Sequence, residues 1–311
     1  MVRITVQRAG LLTTIQDEGR WGHQSAGVPV SGPMDPWSHR LANLLVGNGR
    51  DAATLEVTGS GPDLRFDQPA SLAITGAQFS GVLDGRRWTS PVALDVRAGS
   101  RLAFGERLRG MRAYVATGGG FDVPLVLGSR ATDTRSRLGG VGGRAVRDGD
   151  CLHARGGGHR SPAPRVVENA AWVLPADPTR LRVSRGPEQG GSADAAFERL
   201  LSGSFTVSPR SDRMGYHLAG TPVTVDTEAR ISGPVATGVI QAPPSGEPVL
   251  LMSDRQTTGG YPIVAVVIAA DLPRAGQLGP GDRVVFETCA PGETVHALIA
   301  QEQMLLAMDA R

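Results

Sequence analysis

Over residues 253–262 the chain reads SDRQTTGGYP, its densest run of hydrogen-bonding side chains. Asp254, Gln256, Thr257, Thr258 and Tyr261 supply donors and acceptors suited to holding a polar small molecule. Apolar residues 249–252 and 263–268 flank the run, which places it between two buried strands at the rim of a β-barrel, where binding residues commonly sit. A tight hairpin takes about two to five residues, and a polar connection of about ten argues for a site rather than a plain tip. A second group of candidates is made of arginines. RWGHQSAGVPV at 20–30 returns as RMGYHLAGTPV at 213–223, with Arg, Gly, Ala, Gly, Pro and Val at the same offsets. Arg20 follows Asp17 and Arg213 follows Asp212, so a neighbouring carboxylate can fix each guanidinium. Its fork can then face a substrate carboxylate, phosphate or bicarbonate, or the pair can simply pin the loop that enters each domain. GSRATDTR at 128–135 similarly offers Arg130, Thr132 and Asp133 on a glycine-flanked turn.

Much other chemistry is excluded. All 32 basic residues are Arg. The absence of Lys removes Schiff-base catalysis, a P-loop lysine, the Ser-Lys amidase mechanism and any attachment point for biotin or lipoate. GVGGRA at 140–145 fits a dinucleotide fingerprint in letters only, because no apolar strand precedes it and no helical pattern follows; it reads as a glycine-rich turn. In GHQSAG at 22–27 the serine falls one place late for a nucleophile elbow. The six His are isolated and read as surface or satisfied side chains. Cys151 and Cys289 lack partners at metal-ligand spacing and read as buried reduced thiols, with no metal site. Charges of both signs are interleaved to a formal +2, without the basic stripe that nucleic acid requires. No apolar run approaches the ~18 residues of a membrane span, and the first residues lack a signal-peptide core, so a cytoplasmic location is expected.

The elements that must position these residues are mostly strands. Gly (42) and Pro (22) are spread along all 311 residues, and frequent turns between short apolar runs indicate an all-β class. Strands are expected at 72–75, 92–96, 113–116, 249–252 and 263–268. Helical periodicity appears three times: after Asp35 as N-cap with Pro36 at the first position, from Ser192 to Gly203, and from Thr294 to about Asp309. Two further marks recur in order, GSRLAF at 99–104 with GDRVVF at 281–286, and Ser60-Gly61-Pro62 with Ser232-Gly233-Pro234. The shared order indicates internal duplication. It predicts an N-terminal β-barrel domain over 1–160, a Gly/Pro-rich linker over 161–180 and a second barrel over 181–311, with Arg20 and Arg213 at matching positions.

The runs GLLTTIQDEGRWGHQSAGVPVSGPMD, RLANLLVGN, GSRATD, SDRMGYHLAG, GVIQAPPSGEPVLLMSDRQTTGGYP and PGDRVVF span almost the whole chain. Together they resemble the second subunit of the allophanate hydrolase pair, the biotin-dependent carboxyltransferase family; Pro33 is a small departure. The resemblance implies two cyclophilin-like β-barrel domains in a mainly β chain with a few short helices. It also implies a paired first subunit, in a heterodimer or heterotetramer. Stand-alone pairs are similar to the B-type and C-type subunits of 5-oxoprolinase, which with a third, lactam-utilisation-type subunit open 5-oxoproline to glutamate at the expense of ATP. Two other readings come with the family: transfer of carboxylate from carboxybiotin, borne on a separate carrier, to urea or a related amide, and non-enzymatic antagonism of a kinase inhibitor. On the first reading Asp254, Tyr261 and Gln256 are the expected catalytic residues. Gln241, Thr257 and Thr258 would bind the substrate amide or ring oxygen, while Arg213, Arg20 and Arg130 would bind its charged group.

Overall fold

A computed structural model describes residues 1–156, 173–188, 190–226 and 231–309. The predicted linker lies for the most part outside them. The chain divides into two compact units, the first of Met1–Trp21 and Ser31–Leu174, the second of Gly22–Val30 and Pro175–Ala310. The repeat segment after Trp21 therefore belongs to the second unit although the sequence around it builds the first.

The first unit holds strands β1 (Val2–Arg8), β2 (Leu12–Gln16), β3 (Thr54–Thr58), β4 (Asp63–Phe66), β5 (Ala70–Leu83), β6 (Arg86–Thr89), β7 (Val92–Val96), β8 (Arg101–Thr117) and β9 (Cys151–Ala154), with helix α1 (Pro36–Leu45). They make a nine-stranded half-barrel in the order β2-β3-β8-β4-β1-β9, onto which β5 pairs through β8 and carries β6 and β7. Period-2 alternation sets its faces. On β9, Leu152 and Ala154 point inward while Cys151 is exposed, with Sγ 3.9 Å from His153 Nε2, so the expectation of two buried thiols holds for Cys289 and fails for Cys151. Helix α1 starts where Asp35 accepts from Ser38 N at 2.9 Å and Pro36 presets the first turn, as its sequence dictates.

The second unit contains β10 (Thr179–Arg185), α2 (Gly191–Ser202), β11 (Phe205–Val207), β12 (Gly215–Gly220), β13 (Gly233–Pro234), β14 (Val239–Gln241), β15 (Val249–Leu251), β16 (Thr258–Gly259), β17 (Ile263–Val267), α3 (Leu272–Gly276), β18 (Arg283–Thr288) and α4 (Pro291–Asp309). Seven strands close in the order β10-β17-β14-β15-β12-β11-β18, the parallel pairing of β18 with β10 completing the ring. Closure leaves no unpaired edge, which lets strands as short as three residues persist.

The three repeat marks fare differently. Gly215–Gly220 is strand β12, whereas its sequence counterpart at 22–27 contains a 3-10 turn over Gln24–Ala26, so Arg20 and Arg213 do not occupy matching elements. Nor do the two Ser-Gly-Pro sites match: one precedes β4, the other lies within β13. The third mark is structurally real. Gly99 N donates to Phe66 O at 2.7 Å, Phe66 N to Ser100 O at 2.9 Å and Ser100 N to Arg97 O at 3.1 Å; Gly281 N donates to Val207 O, Val207 N to Asp282 O and Asp282 N to Gly279 O at 2.9, 2.9 and 3.1 Å. The same three bonds recur at Gly149, with Val6, Asp150 and Arg147. In each turn the side chain after the glycine, Ser100, Asp150 or Asp282, accepts from the backbone N three residues earlier. All three glycines have φ between 85° and 91°, where a Cβ is strained.

Candidate functional site

Strands β15 and β17 both run antiparallel to β14 and are therefore parallel to each other. A connection between parallel strands has to cross from one end of the sheet to the other. This is why residues 252–262 number more than a hairpin needs: they form a crossover past β14 and not the rim loop expected from sequence. The crossover is tied down at both ends and in the middle. Met252 N donates to Met214 O and Asp254 N to Arg213 O, both at 2.8 Å, while Ala242 N donates to Pro262 O at 2.9 Å. Midway, β16 pairs with β13, and Val235 N donates to Thr257 O at 3.1 Å, so residues 233–237 lie alongside the crossover as a strap.

The predicted residues of the second unit consequently fall into two groups. At the Leu251 end, Asp254 and Arg213 form a buried two-point ion pair, Nε to Oδ2 at 2.8 Å and Nη2 to Oδ1 at 3.0 Å. The acid that fixes Arg213 is thus Asp254 and not Asp212, whose Oδ1 accepts from Met214 N. At the Ile263 end, the Gln241 side chain is buried, its Nε2 3.5 Å from Tyr261 O, at the limit of a hydrogen bond. A Cβ on Gly259 would stand 2.6 Å from that nitrogen, so the glycine gives the carboxamide its space. Gln256 and Thr257 are half-buried, and Thr258 and Tyr261 are exposed. Sequence reasoning passed over Arg255, which turns back under the strap: it is buried, and it donates from Nη1 to Thr237 Oγ1 at 2.6 Å and from Nε to Val235 O at 3.4 Å. Burial lowers its pKa, an effect the charge of Asp254 opposes. Its position in the run SDRQTT was visible, but its orientation was not.

Arg20 and Arg130 belong to the first unit. Arg20 is fully buried and donates to Val126 O at 2.9 Å and Ala131 O at 2.7 Å. Asp17 is not its partner; it accepts from Ser129 Oγ at 2.6 Å, Arg130 N at 2.5 Å and Gly19 N at 3.0 Å. Arg130, half-buried, donates from Nε to Val123 O at 3.1 Å. Thr132 donates to Ile15 O, and Asp133 caps the turn that follows it. The glycine-rich segment is a turn, as expected: Gly140 N donates to Arg130 O and Gly143 N to Gly139 O, and a Cβ on Gly139 would lie 2.1 Å from Ala131 O.

A polar network beneath α1 was not foreseen. Glu56 Oε2 accepts from Met34 N at 2.8 Å and from Tyr114 Oη at 2.7 Å, and Tyr114 Oη accepts from Asp35 N at 2.7 Å. Burial, reinforced by Glu56, raises the Tyr114 pKa well above its usual value. His39, bonded to Thr54 Oγ1 and Arg50 O, is held neutral by burial, which lowers its pKa to about 4. Asp35 and Glu56 are spaced by a helix and a turn, a separation that carries no local signal in sequence. All these groups are shut away from solvent, so the network braces α1 and the half-barrel. Among the described residues no cluster of His, Cys, Asp or Glu is arranged to hold a metal ion, and no helix is long and apolar enough to cross a membrane.

Comparison with known proteins agrees with this architecture. The chain is 36% identical over 302 residues to the C-type subunit of 5-oxoprolinase from Escherichia coli, covering 96% of each chain. It is 34% identical over 310 residues to urea amidolyase of Saccharomyces cerevisiae, covering 91% of this chain and 16% of the yeast protein. The solved urea carboxylase of Kluyveromyces lactis superposes with a TM-score of 0.86 at 31% identity, over 98% of this chain and 29% of that one. Residues 26–288 match the carboxyltransferase domain, subdomains A and B, and the chain belongs to that family.

Proposed function

We propose that this chain is the C-type component of an ATP-dependent 5-oxoprolinase, acting with a paired B-type subunit and a third, lactam-utilisation-type subunit to open 5-oxoproline to glutamate. The observation that carries this reading is the similarity to a C-type 5-oxoprolinase subunit over 96% of both chains. The barrel supplies chemistry that suits a lactam. Gln241, with its amide nitrogen only weakly engaged, and the Thr257 and Thr258 hydroxyls can meet the ring oxygen and N–H, while Gln256 and Tyr261 present polar tips from the crossover. The Arg213–Asp254 pair holds the crossover in place, so Asp254 is a positioning residue, and Arg20 does the same for the loop of the first unit. Arg130 stays a candidate for a charged group there. ATP is consumed by the assembled complex. This chain has no lysine, and two amides of its glycine-rich turn are already bonded, Gly140 N to Arg130 O and Gly143 N to Gly139 O.

A second reading, carboxyl transfer from a carboxybiotin carrier to urea or a related amide, is favoured by the yeast urea amidolyase match over 91% of this chain. Reconstitution separates the two. The purified chain alone should be inactive on 5-oxoproline, and the three-subunit mixture should yield glutamate with matching ATP consumption. Glutamate from the isolated chain would refute the division of labour; a complete set inert without a biotin carrier would favour carboxyl transfer.

A further inference from the structure

We infer that Arg255 is the carboxylate receptor of the second unit, gripping the charged group of the ligand whose amide meets Gln241. Three observations lead there, and the identification of that ligand rests on the function proposed above. First, the local charges do not cancel. Arg213 and Asp254 neutralise each other through two hydrogen bonds, which leaves the guanidinium of Arg255 as a buried cation with only neutral atoms bonded to it, a threonine hydroxyl and a carbonyl. A buried guanidinium bonded only to neutral groups, with the adjacent carboxylate of Asp254 spent on Arg213, is costly, and an anionic ligand reduces that cost. Second, part of the fork is open. The bonds of Arg255 use Nε and Nη1, and Nη2 has no hydrogen bond among the described residues, so it can donate to an incoming carboxylate oxygen. Third, the strap brings this end of the crossover towards the amide end. Val235, whose carbonyl accepts from Arg255, also stands 3.3 Å from the Cβ position of Gly259, the same position that lies 2.6 Å from Gln241 Nε2. A ligand carrying a carboxylate beside a cyclic amide matches that succession of donors.

Kinetics and binding test the assignment separately. In the assembled three-subunit complex, Arg255→Gln should raise KM for 5-oxoproline by about 30–100-fold, the loss expected for a charge-assisted contact, with kcat changed by less than about threefold. Any turnover of 2-pyrrolidinone, the same lactam without its carboxylate, should be untouched. Arg255→Lys keeps the charge and the buried stem, so it covers a folding failure of the Gln variant; it should raise KM by about tenfold. Independently of any reaction, titrating the full chain with 5-oxoproline or acetate should shift the Arg255 Nε–H resonance in a nitrogen-correlated spectrum, and 2-pyrrolidinone should not. Unchanged KM in both variants, or acetate and 5-oxoproline titrations that leave this resonance in place, would overturn the inference. A wild-type complex inert on 5-oxoproline ends the proposed function instead, and the titration still decides the role of Arg255.

Discussion

Arg20 and Arg213 stand in nearly the same sequence, yet the two units employ them in opposite ways. Arg20 reaches the carbonyls of Val126 and Ala131 and joins the segment after β2 to the segment after β8; Arg213 faces Asp254, 41 residues away, and clamps the crossover of the closed barrel. Arg20 satisfies backbone carbonyls, whereas Arg213 adds an ionic attachment at the first turn of a crossover that backbone bonds already tie at both ends and in the middle. The same residue type therefore grips backbone carbonyls in one unit and a carboxylate in the other. A short local match between two segments shows common residue types and not a common structural task.

The contrast is broken most directly at Asp254. Asp254→Ala leaves Arg213 and Arg255 buried with no carboxylate between them and should cost about 3–5 kcal/mol, read as a fall in the thermal midpoint of the barrel. This reverses the modest effect expected of a loop residue. Pairing the change with Arg213→Met should recover part of the loss, since the double variant removes one stranded charge. Acid should distinguish the units next. The His39 pKa is about 4 in the folded half-barrel against 6.5 when unfolded, so below pH 6.5 the unfolded chain binds a proton that the folded chain refuses. Stability present above pH 6.5 should decline as pH falls towards 4, by about 3 kcal/mol in all, and the decline should flatten in His39→Gln when urea midpoints are compared across that range. Arg20→Met should cost about 2–3 kcal/mol by leaving buried carbonyls unsatisfied. The shape of its salt dependence should match that of the wild type, whereas exchanging charge at Asp254 should alter it. The smallest effect concerns what the units share. Gly99→Ala and Gly281→Ala, each with φ near 90° and open space where the Cβ would go, should each cost about 1–2 kcal/mol. Equal costs support the equivalence of the two turns, and unequal ones dissolve it.

How far the sequence carried the fold depends on how local each signal is. Helix α1 was legible because Asp35, Pro36 and Gly47 act within their own turns, and the strands at 92–96 and 263–267 were legible because period and turn residues mark them. The glycine turns before β8 and β18 were legible as a repeat; their third occurrence, before β9, was hidden by the change from Ser-Arg to Asp-Cys. Pairing between strands was not legible, and with it went the nature of the crossover. The residues of SDRQTTGGYP were singled out correctly as a polar connection, but whether they turn back or cross over depends on β14, which lies outside the segment. Ion-pair partners failed for a similar reason. Of the acids nearest in sequence, Asp17 is taken by Ser129 Oγ and the backbone N–H groups of Arg130 and Gly19, and Asp212 by that of Met214, while Asp254 could be matched to Arg213 only once the barrel was closed. Asp254 and Arg255 are adjacent in sequence, yet Asp254 bonds Arg213 while Arg255 bonds Val235 and Thr237 of the strap.

Residues Gly22–Val30 count with a unit whose remaining sequence begins at Pro175, and this has a bearing on the order in which the protein is made. A ribosome adding ~5–20 residues per second releases that nonapeptide many seconds before the strands of its own unit exist. The half-barrel can form its sheet while the nascent chain is still growing, and the seven-stranded ring closes from residues 179–288 alone, so the early nonapeptide can join its unit only after strands synthesised near the end exist. A fragment beginning at Pro175 is for the same reason short of nine residues of its own unit, and adding residues 22–30 as a free peptide should raise its yield of folded protein on refolding.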